Sequence, residues 1–300
     1  MRSEGMVMRN SETCSGASDG TPRGPSIGSR TISALVRAYL RNVPIERGKW
    51  WLRRKTSPWL VARLDTGPWV RISGLCDFEW AVLERVETSE SRTAELFTKL
   101  LAPGQVVVDV GANVGYYALT AAVGVGSAGR VVAFEPGPAT AERLRENAAL
   151  NNFSNLTVVQ AAVSDVSGTS CFQLAQDCEG SSLYSVGEDT VGSVNARVTT
   201  LDSLADELGL DRVDLVKIDA EGAEVAVIRG ARHLLSRADS PKVIVEANPA
   251  TLRAAGESVA SLRFEIESAG YLIDVIEAMP WRGELTENWL ATKAVQCAAV

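Results

Sequence analysis

The feature that most constrains the fold is an alternation of strand-like and helix-like segments after Pro103. Seven apolar segments have the composition of buried strands: QVVVDV, RVVAFE, LTVVQAAV, VDLVKID, KVIVEAN, YLIDVIE and WLATKAV. Continuous Val/Ile runs separated by helices indicate a parallel sheet that is covered on both faces. The last two segments have no helix between them, so we expect them to pair antiparallel. The sequence therefore predicts an α/β fold with a mostly parallel sheet and an antiparallel last strand.

The chain divides into three regions by composition. Residues 1–30 are rich in Ser, Gly, Thr and Pro, and we expect a disordered tail because they cannot bury enough apolar surface. Residues 31–75 predict an amphipathic helix from Thr31 and a hairpin in WLVARLDTGPWVRISG. Residues 76–300 form the predicted catalytic domain. Within it, residues 165–200 interrupt the alternation and predict an added hairpin or lid.

Charge and composition exclude several classes of function. Residues 1–75 carry 13 Lys/Arg against 5 Asp/Glu, whereas residues 76–300 carry 17 against 32. An acidic body argues against nucleic acid as a partner. Five cysteines without a CxxC pair and a single histidine argue against a disulfide framework, a zinc site or a His-rich metal site. Together with the absence of an apolar run long enough for a membrane span, this usage predicts a cytoplasmic protein.

The turn VDVGANVG joins the first predicted strand to the first helix, at the sheet edge where α/β proteins bind ligands. A dinucleotide requires G-x-G-x-x-G, but Asn113 and Tyr116 replace its second and third glycines. The spacing Asp109-x-Gly111-x-x-x-Gly115 suits S-adenosylmethionine instead, with the acidic residue near the amino-acid end of the cofactor. The turn therefore predicts S-adenosylmethionine binding.

An acidic residue at the end of the second strand supports this interpretation. Glu135 ends RVVAFE, at a position where a carboxylate can accept both ribose hydroxyls. Two simpler interpretations stay open: Asp109 as a helix cap and Glu135 as a solvated strand end. The joint spacing of both residues with the two glycines favours a cofactor site.

Three carboxylates are candidates for the base that takes the acceptor's proton. Asp219 and Glu221 lie in KIDAEGAE, and Glu246 lies in VEANP. Carboxylates that converge at one sheet edge repel each other, which raises at least one pKa towards a useful value. Alternatively, Asp219 positions the methionine end of the cofactor, Glu221 caps the next helix, or these oxygens bind a divalent ion such as Mg²⁺. We expect no dedicated metal site.

Two further ionisable residues lie near these carboxylates in the sequence. His233 is a competing base, but its position in the helix after AEGAEV favours a surface or packing role. Lys217 alternates with Asp219 along the strand, so we expect an ion pair that fixes the Asp219 carboxylate.

Five segments together resemble the FkbM-type S-adenosylmethionine-dependent methyltransferases, over about residues 76–277: VVVDVGANVGYYAL, VVAFEPGP, AAVSDVSG, VTTLDSL and VDLVKIDAEGAEVAVIRGA. The resemblance implies a seven-stranded, Rossmann-like methyltransferase sheet. It also implies methyl transfer to an oxygen of a small-molecule, sugar or glycolipid acceptor. Carried over by position, it implies a cofactor site made of Asp109, Gly111, Asn113, Gly115 and Glu135, with Ala162 and Val163 at the end of the third strand beside the adenine.

The segment RGKWWLRRKTSPW, residues 47–59, mixes tryptophans with basic residues. This composition suits peripheral contact with a membrane surface, stacking on a sugar, or simple packing of the hairpin, and we favour packing. Two alternative functions stay open for the whole chain. One is a non-catalytic S-adenosylmethionine-binding or membrane-recruited scaffold, and the other is an NAD-dependent oxidoreductase, which the broken glycine pattern disfavours.

Overall fold

The computed structural model describes residues 24–42, 60–72, 82–83, 90–175, 181–184, 190–281 and 283–294. The basic, tryptophan-rich segment 47–59 and residues 1–23 of the predicted tail lie outside these residues. Among the described residues, no helix has the length and apolar character needed to cross a membrane.

The N-terminal extension consists of a helix and a hairpin. Helix α1 (Ile27–Asn42) begins before the predicted start at Thr31. The reason is Ser26, whose Oγ accepts the N–H of Ser29 at 3.1 Å and so caps the first turn. Strands β1 (Val61–Arg63) and β2 (Trp69–Arg71) pair antiparallel, as expected for the hairpin.

The remaining elements follow in chain order. They are α2 (Ser91–Leu100), β3 (Val106–Val110), α3 (Tyr116–Val125), β4 (Arg130–Phe134), α4 (Pro138–Leu150), β5 (Leu156–Val159), β6 (Ala162–Val163), β7 (Gly168–Ala175), β8 (Thr190–Thr199), α5 (Leu201–Glu207), β9 (Leu215–Ile218), α6 (Glu224–Arg229), α7 (Arg232–Ser236), β10 (Lys242–Ala247), α8 (Pro249–Ala254), α9 (Val259–Ser268), β11 (Tyr271–Trp281) and β12 (Glu284–Lys293).

Seven strands form the central sheet in the order β11-β12-β10-β9-β3-β4-β5. The five strands from β10 to β5 in this order are parallel, and β12 pairs antiparallel with both β10 and β11. The predicted α/β fold, with its mostly parallel sheet and antiparallel last strand, is therefore confirmed. Buried residues form one core on each face: Val107, Leu215 and Ile244 lie on the face covered by α2, α3 and α4, and Val108, Val216 and Val245 lie on the other.

The third predicted strand, LTVVQAAV, is wrong as a single strand. The central sheet strand β5 ends at Val159, and the N–H of Ala161 donates to the Val159 carbonyl at 3.0 Å, so the chain turns there. Ala162 and Val163 instead form β6, which pairs with β8 in a separate three-stranded sheet of order β6-β8-β7. The β7–β8 hairpin is the insertion predicted for residues 165–200.

Candidate active site

The glycine turn follows β3 at the carboxyl edge of the sheet and lies against the segment that follows β9. The N–H groups of Gly111 and Ala112 both donate to the Phe134 carbonyl at 2.9 Å, which ties the turn to β4. Gly111 has φ of 78°, and a Cβ at this position would lie 1.7 Å from the Asp219 carbonyl oxygen. Gly111 is thus required by the close approach of two protein segments, a reason that its sequence context did not reveal.

Glu135 organises the same turn from β4. Its carboxylate accepts the N–H of Asn113 at 3.0 Å and the N–H of Gly137 at 2.8 Å. Burial raises the pKa of Glu135 to about 7, against the lowering effect of these two hydrogen bonds. The side chain is 6% exposed. Glu135 is therefore a buried carboxylate at the turn, rather than a solvated strand end.

Asp109 lies within β3, directly beneath the turn, and is 2% exposed. The N-cap position of α3 is Gly115, so the interpretation of Asp109 as the helix cap is wrong. The backbone N–H of Ala118, in the first turn of α3, acts to lower the pKa of Asp109. Its Oδ2 atom is buried and has no hydrogen-bond partner in the described part of the chain. Burial raises the pKa of Asp109 to about 7. One oxygen of Asp109 is therefore left to accept a hydrogen bond from a group outside the protein.

The loop between β9 and α6 carries the predicted base residues. Asp219 follows the last residue of β9, and its N–H donates to the Val110 carbonyl at 3.0 Å. Glu221 adopts a left-handed backbone conformation with φ of 48°, and its carbonyl accepts the Ser182 hydroxyl at 2.5 Å. The loop is thus fixed from two sides, by β3 and by the segment between β7 and β8.

Glu224 ends the motif KIDAEGAE and was not among the predicted site residues. Its buried carboxylate accepts the backbone N–H groups of Ala220 at 2.9 Å and Gly222 at 3.0 Å. These bonds organise the loop, a role that the alternative interpretation had given to Glu221 as a helix cap. Burial raises the pKa of Glu224 to about 7.

Lys217 is fully buried, and its Nζ lies 3.2 Å from Asp219 Oδ2, as expected for the ion pair. Its Nζ also lies 5.1 Å from the ring centroid of Tyr117. The Tyr117 hydroxyl donates to Glu90 at 2.8 Å, and burial raises the pKa of Glu90. Burial acts to lower the pKa of Lys217, but the surrounding carboxylates, Asp219 first, outweigh it and raise that pKa.

Glu246 lies on β10 beside this cluster and is partly exposed. Burial raises the pKa of Glu246 well above its usual value, and the charges of Asp219 and Glu221 raise it further. The three predicted base residues are therefore electrostatic neighbours at one sheet edge. Glu90 and Tyr117 were missed because Glu90 stands in an ordinary polar stretch and Tyr117 in an apolar one.

Three residues from the sequence analysis lie outside this cluster of charges. Ala162 and Val163 are buried in β6, after the end of the third sheet strand. His233 is exposed in α7, a separate short helix, and its backbone N–H donates to Asp202 at 2.9 Å. The helix after the Asp219 loop ends at Arg229. The next residue, Gly230, packs so closely against the Ser164 carbonyl that a Cβ would lie 2.0 Å from it.

No group of three or more His, Cys, Asp or Glu side chains is placed to hold a metal ion in the described portions of the chain.

Comparison with known proteins gives the family. Residues 109–273, more than half of the chain, match the sequence profile described as the methyltransferase FkbM domain. The chain is 32% identical over 155 residues to methyltransferase sdnD of Sordaria araneosa, covering 41% of this chain and 59% of sdnD, less than two thirds of its length. It is 29% identical over 177 residues to 2-O-methyltransferase NoeI of Sinorhizobium fredii, covering 53% of this chain and 71% of NoeI.

Among solved structures, a SAM-dependent O-methyltransferase of Thermotoga maritima aligns with a TM-score of 0.43 and 16% identity, covering 80% of this chain and 79% of that chain. An O-methyltransferase of Bacillus cereus in complex with SAH aligns with a TM-score of 0.43 and 15% identity, covering 69% of this chain and 81% of that chain. On the match over residues 109–273, the chain belongs to the FkbM family of methyltransferases.

Proposed function

We propose that this chain transfers a methyl group from S-adenosylmethionine to a hydroxyl oxygen of a small-molecule, sugar or glycolipid acceptor. The observation that carries the proposal is the contact between Gly111 and Asp219, because it joins the cofactor turn to the carboxylate cluster at a single sheet edge. Family membership supports methyl transfer, and the name 2-O-methyltransferase of the relative NoeI supports oxygen as the acceptor atom.

The residues around the glycine turn fit S-adenosylmethionine. The buried, unpartnered Oδ2 of Asp109 can accept a hydrogen bond from the cofactor's ammonium group. Each Glu135 oxygen accepts one backbone N–H, and a carboxylate offers about four lone-pair positions, so capacity is left for the two ribose hydroxyls. Under this proposal Gly111, Asn113 and Gly115 form the turn against which the cofactor lies, and Ala162 and Val163 are the expected neighbours of its adenine.

When bound, S-adenosylmethionine supplies a methyl group on a positively charged sulfur that is already activated for transfer. The chain's own residues then need to hold the acceptor oxygen and take its proton. We assign the proton acceptor to Asp219, which is 28% exposed and held by Lys217. Glu246 is less suited because burial, together with the charges of Asp219 and Glu221, raises its pKa well above its usual value, and Glu221 is the alternative base.

The first experiment is a calorimetric titration with S-adenosylmethionine, with NAD and NADP as controls. We expect binding of S-adenosylmethionine alone. Acceptors are then screened by mass spectrometry for the gain of one methyl group. Binding of NAD or NADP in place of S-adenosylmethionine would support the oxidoreductase alternative. Binding of S-adenosylmethionine without transfer to any acceptor would support the non-catalytic scaffold.

The base assignment is tested with Asp219→Asn, compared with Glu221→Gln and Asp214→Asn. Asp214 is the matched control, because its carboxylate accepts the N–H of Val106 at the opposite, amino end of β3. We expect Asp219→Asn to keep its affinity for S-adenosylmethionine and to lose turnover, whereas Asp214→Asn keeps both. Equal loss of cofactor affinity and turnover would make Asp219 a cofactor ligand, and loss of turnover only in Glu221→Gln would move the base to Glu221.

A further inference from the structure

Polar side chains form a row across the central sheet, on the face covered by α2 and α3. The strand register places Asp109 beside Lys217, Glu246 opposite Asn288, and Asn288 opposite Glu277. On β10 the residue opposite Lys217 is Ile244, and Glu246 follows two residues later on the same face, so the row shifts by two residues between β9 and β10. With this shift, its polar positions occur on five strands, from β3 to β11. A polar row inside a core face is unusual unless its members have partners.

Two members of the row, Lys217 and Glu277, have well-defined partners. Lys217 pairs with Asp219, and Glu277 accepts the backbone N–H of Thr93 at 2.7 Å at the start of α2. Asn288 differs: it is 0% exposed, and neither its amide nitrogen nor its amide oxygen has a partner within the described ranges. Two residues earlier on the same face, the buried hydroxyl of Thr286 also has none there. Such groups are costly to bury unpaired, so the working enzyme must supply their partners from elsewhere.

Asn288 lies next to the carboxylate cluster. Residues directly opposite in an antiparallel pair have Cβ atoms about 4.5–5.5 Å apart, so Asn288 adjoins Glu246. Glu246 and Asp219 are both partly exposed. Because β12 runs antiparallel to β10, Thr286 lies nearer than Asn288 to the carboxyl edge of β10, the edge at which Asp219 follows β9. A molecule whose oxygen approaches Asp219 at this edge therefore has Thr286 and Asn288 on the far side of Glu246.

We propose that Asn288, with Thr286, binds a second hydroxyl of the acceptor, one that is not methylated, and that the acceptor is therefore an uncharged compound with at least two hydroxyls. This inference rests on the proposed function. An amide both donates and accepts hydrogen bonds, as a hydroxyl does, so the two are complementary. An anionic acceptor is disfavoured because Asp219, Glu221 and Glu246 surround the site and Lys217 is already paired.

The test compares Asn288→Leu with a matched variant, Asn147→Leu. Asn147 is also 0% exposed, but its amide is satisfied, donating to the Val114 carbonyl and accepting the N–H of Arg71, each at 2.9 Å. Replacing an unpartnered amide by an apolar side chain removes a cost, whereas replacing a satisfied one leaves two backbone groups unpaired. We expect the Tm of Asn288→Leu to stay or rise and that of Asn147→Leu to fall. The pair Asn288→Ala and Asn147→Ala repeats the comparison without adding volume.

Ligand binding is measured by saturation-transfer NMR on protein loaded with S-adenosylhomocysteine. The probes are methyl glycosides of common hexoses and pentoses, with cyclohexanol as the monohydric control. We expect the wild-type protein to bind at least one glycoside, and Asn288→Leu to weaken that binding about tenfold or more, the effect of one lost hydrogen bond. Affinity for S-adenosylhomocysteine and any binding of cyclohexanol stay unchanged.

Three results would overturn the inference: no glycoside binding by the wild-type protein, equal glycoside binding by Asn288→Leu, or a fall in Tm for Asn288→Leu as large as that for Asn147→Leu. The last result would mean that ordered water satisfies the amide. The proposed function is judged separately by methyl transfer to any hydroxyl, including that of a monohydric phenol. Methylation of a phenol without glycoside binding would leave the proposed function intact and the inference refuted.

Discussion

Replacement of Gly111 by alanine is expected to separate the glycine turn from the Asp219 loop. The new Cβ would lie 1.7 Å from the Asp219 carbonyl oxygen, whereas real Cβ contacts are essentially never shorter than 3.0 Å. The two backbones must therefore move apart by about 1.3 Å, the difference between these distances. The hydrogen bond from the Asp219 N–H to the Val110 carbonyl, 3.0 Å long, joins the same two backbones and would break.

The size of the effect follows from a matched control, Gly104→Ala. Gly104 has φ of 83°, close to the 78° of Gly111, but a Cβ at Gly104 would meet nothing within 4 Å. The cost of a left-handed alanine, about 1–2 kcal/mol, is therefore common to both variants. Gly111→Ala adds the loss of a buried hydrogen bond and of packing, which we put at about 2–4 kcal/mol more. Because domains are stable by about 5–15 kcal/mol, most of the variant should still be folded.

Urea unfolding of both variants, followed by fluorescence at one pH, measures the difference in the free energy of unfolding. Calorimetric titration with S-adenosylmethionine then tests function, and we expect the affinity of Gly111→Ala to fall while that of Gly104→Ala is kept. A difference in unfolding free energy below about 0.5 kcal/mol, within the range of an ordinary surface change, would refute the argument that Gly111 is required by the approach of Asp219.

Four further predictions concern the buried charges of the candidate cofactor site. Glu135→Ala should weaken S-adenosylmethionine binding by about 1.5–3 kcal/mol, the cost of losing a charged hydrogen-bond partner, and unchanged affinity in calorimetry would contradict the ribose assignment. Affinity for S-adenosylmethionine should increase from pH 6 to pH 8, because the cofactor's ammonium group binds the ionised carboxylate of Asp109, whose pKa is about 7. Below this pKa the increase should be up to about tenfold per pH unit, and an affinity that does not change with pH would contradict the prediction. The thermal stability of the free protein should change in the opposite direction, with a Tm that falls as the pH rises from about 5 through about 7. The reason is that the raised pKa values of Asp109 and Glu135 let the folded state keep protons that the unfolded state has already lost. Lys217→Met should move the pH dependence of cofactor affinity to higher pH, because the charge of Lys217 lowers the pKa of Asp109, and an unmoved midpoint would exclude this coupling.

The sheet was predictable from the sequence because each strand carries its own local signal. Continuous Val/Ile runs such as the one that forms β3 identify buried parallel strands without knowledge of their neighbours. The predicted ends of strands and helices were wrong where tertiary contacts determine the end of an element. The third strand stops at Val159 because the chain turns there into the second sheet, and the helix after the Asp219 loop stops at Arg229, next to Gly230, which packs on the distant Ser164 carbonyl. Neither contact leaves a pattern in the local sequence.

The residues of the candidate site, like the sheet strands, could be predicted only where the local sequence carries a signal. Asp109, Glu135 and Asp219 could be selected because each ends or follows a strand within a recognisable motif, and parallel strands bring their carboxyl ends together. Glu90 could not be selected, because only its hydrogen bond with Tyr117, whose ring lies beside Lys217, brings it to this cluster. Its sequence neighbours are polar and give no periodic signal.

The balance of charge at the site also depends on contacts that no local pattern reveals. Lys217 is the buried cation of this cluster in the described structure, and it faces several carboxyl groups. Because one cation cannot neutralise them all in a site with little solvent, burial and mutual repulsion raise the pKa values of Glu90, Asp109 and Glu246, which favours protonation of these groups. The Nζ atom of Lys217 lies 3.2 Å from Oδ2 of Asp219. The cluster therefore combines one carboxylate that is paired with a buried cation and neighbouring carboxyl groups whose raised pKa values favour protonation, an arrangement that is consistent with the proposed base.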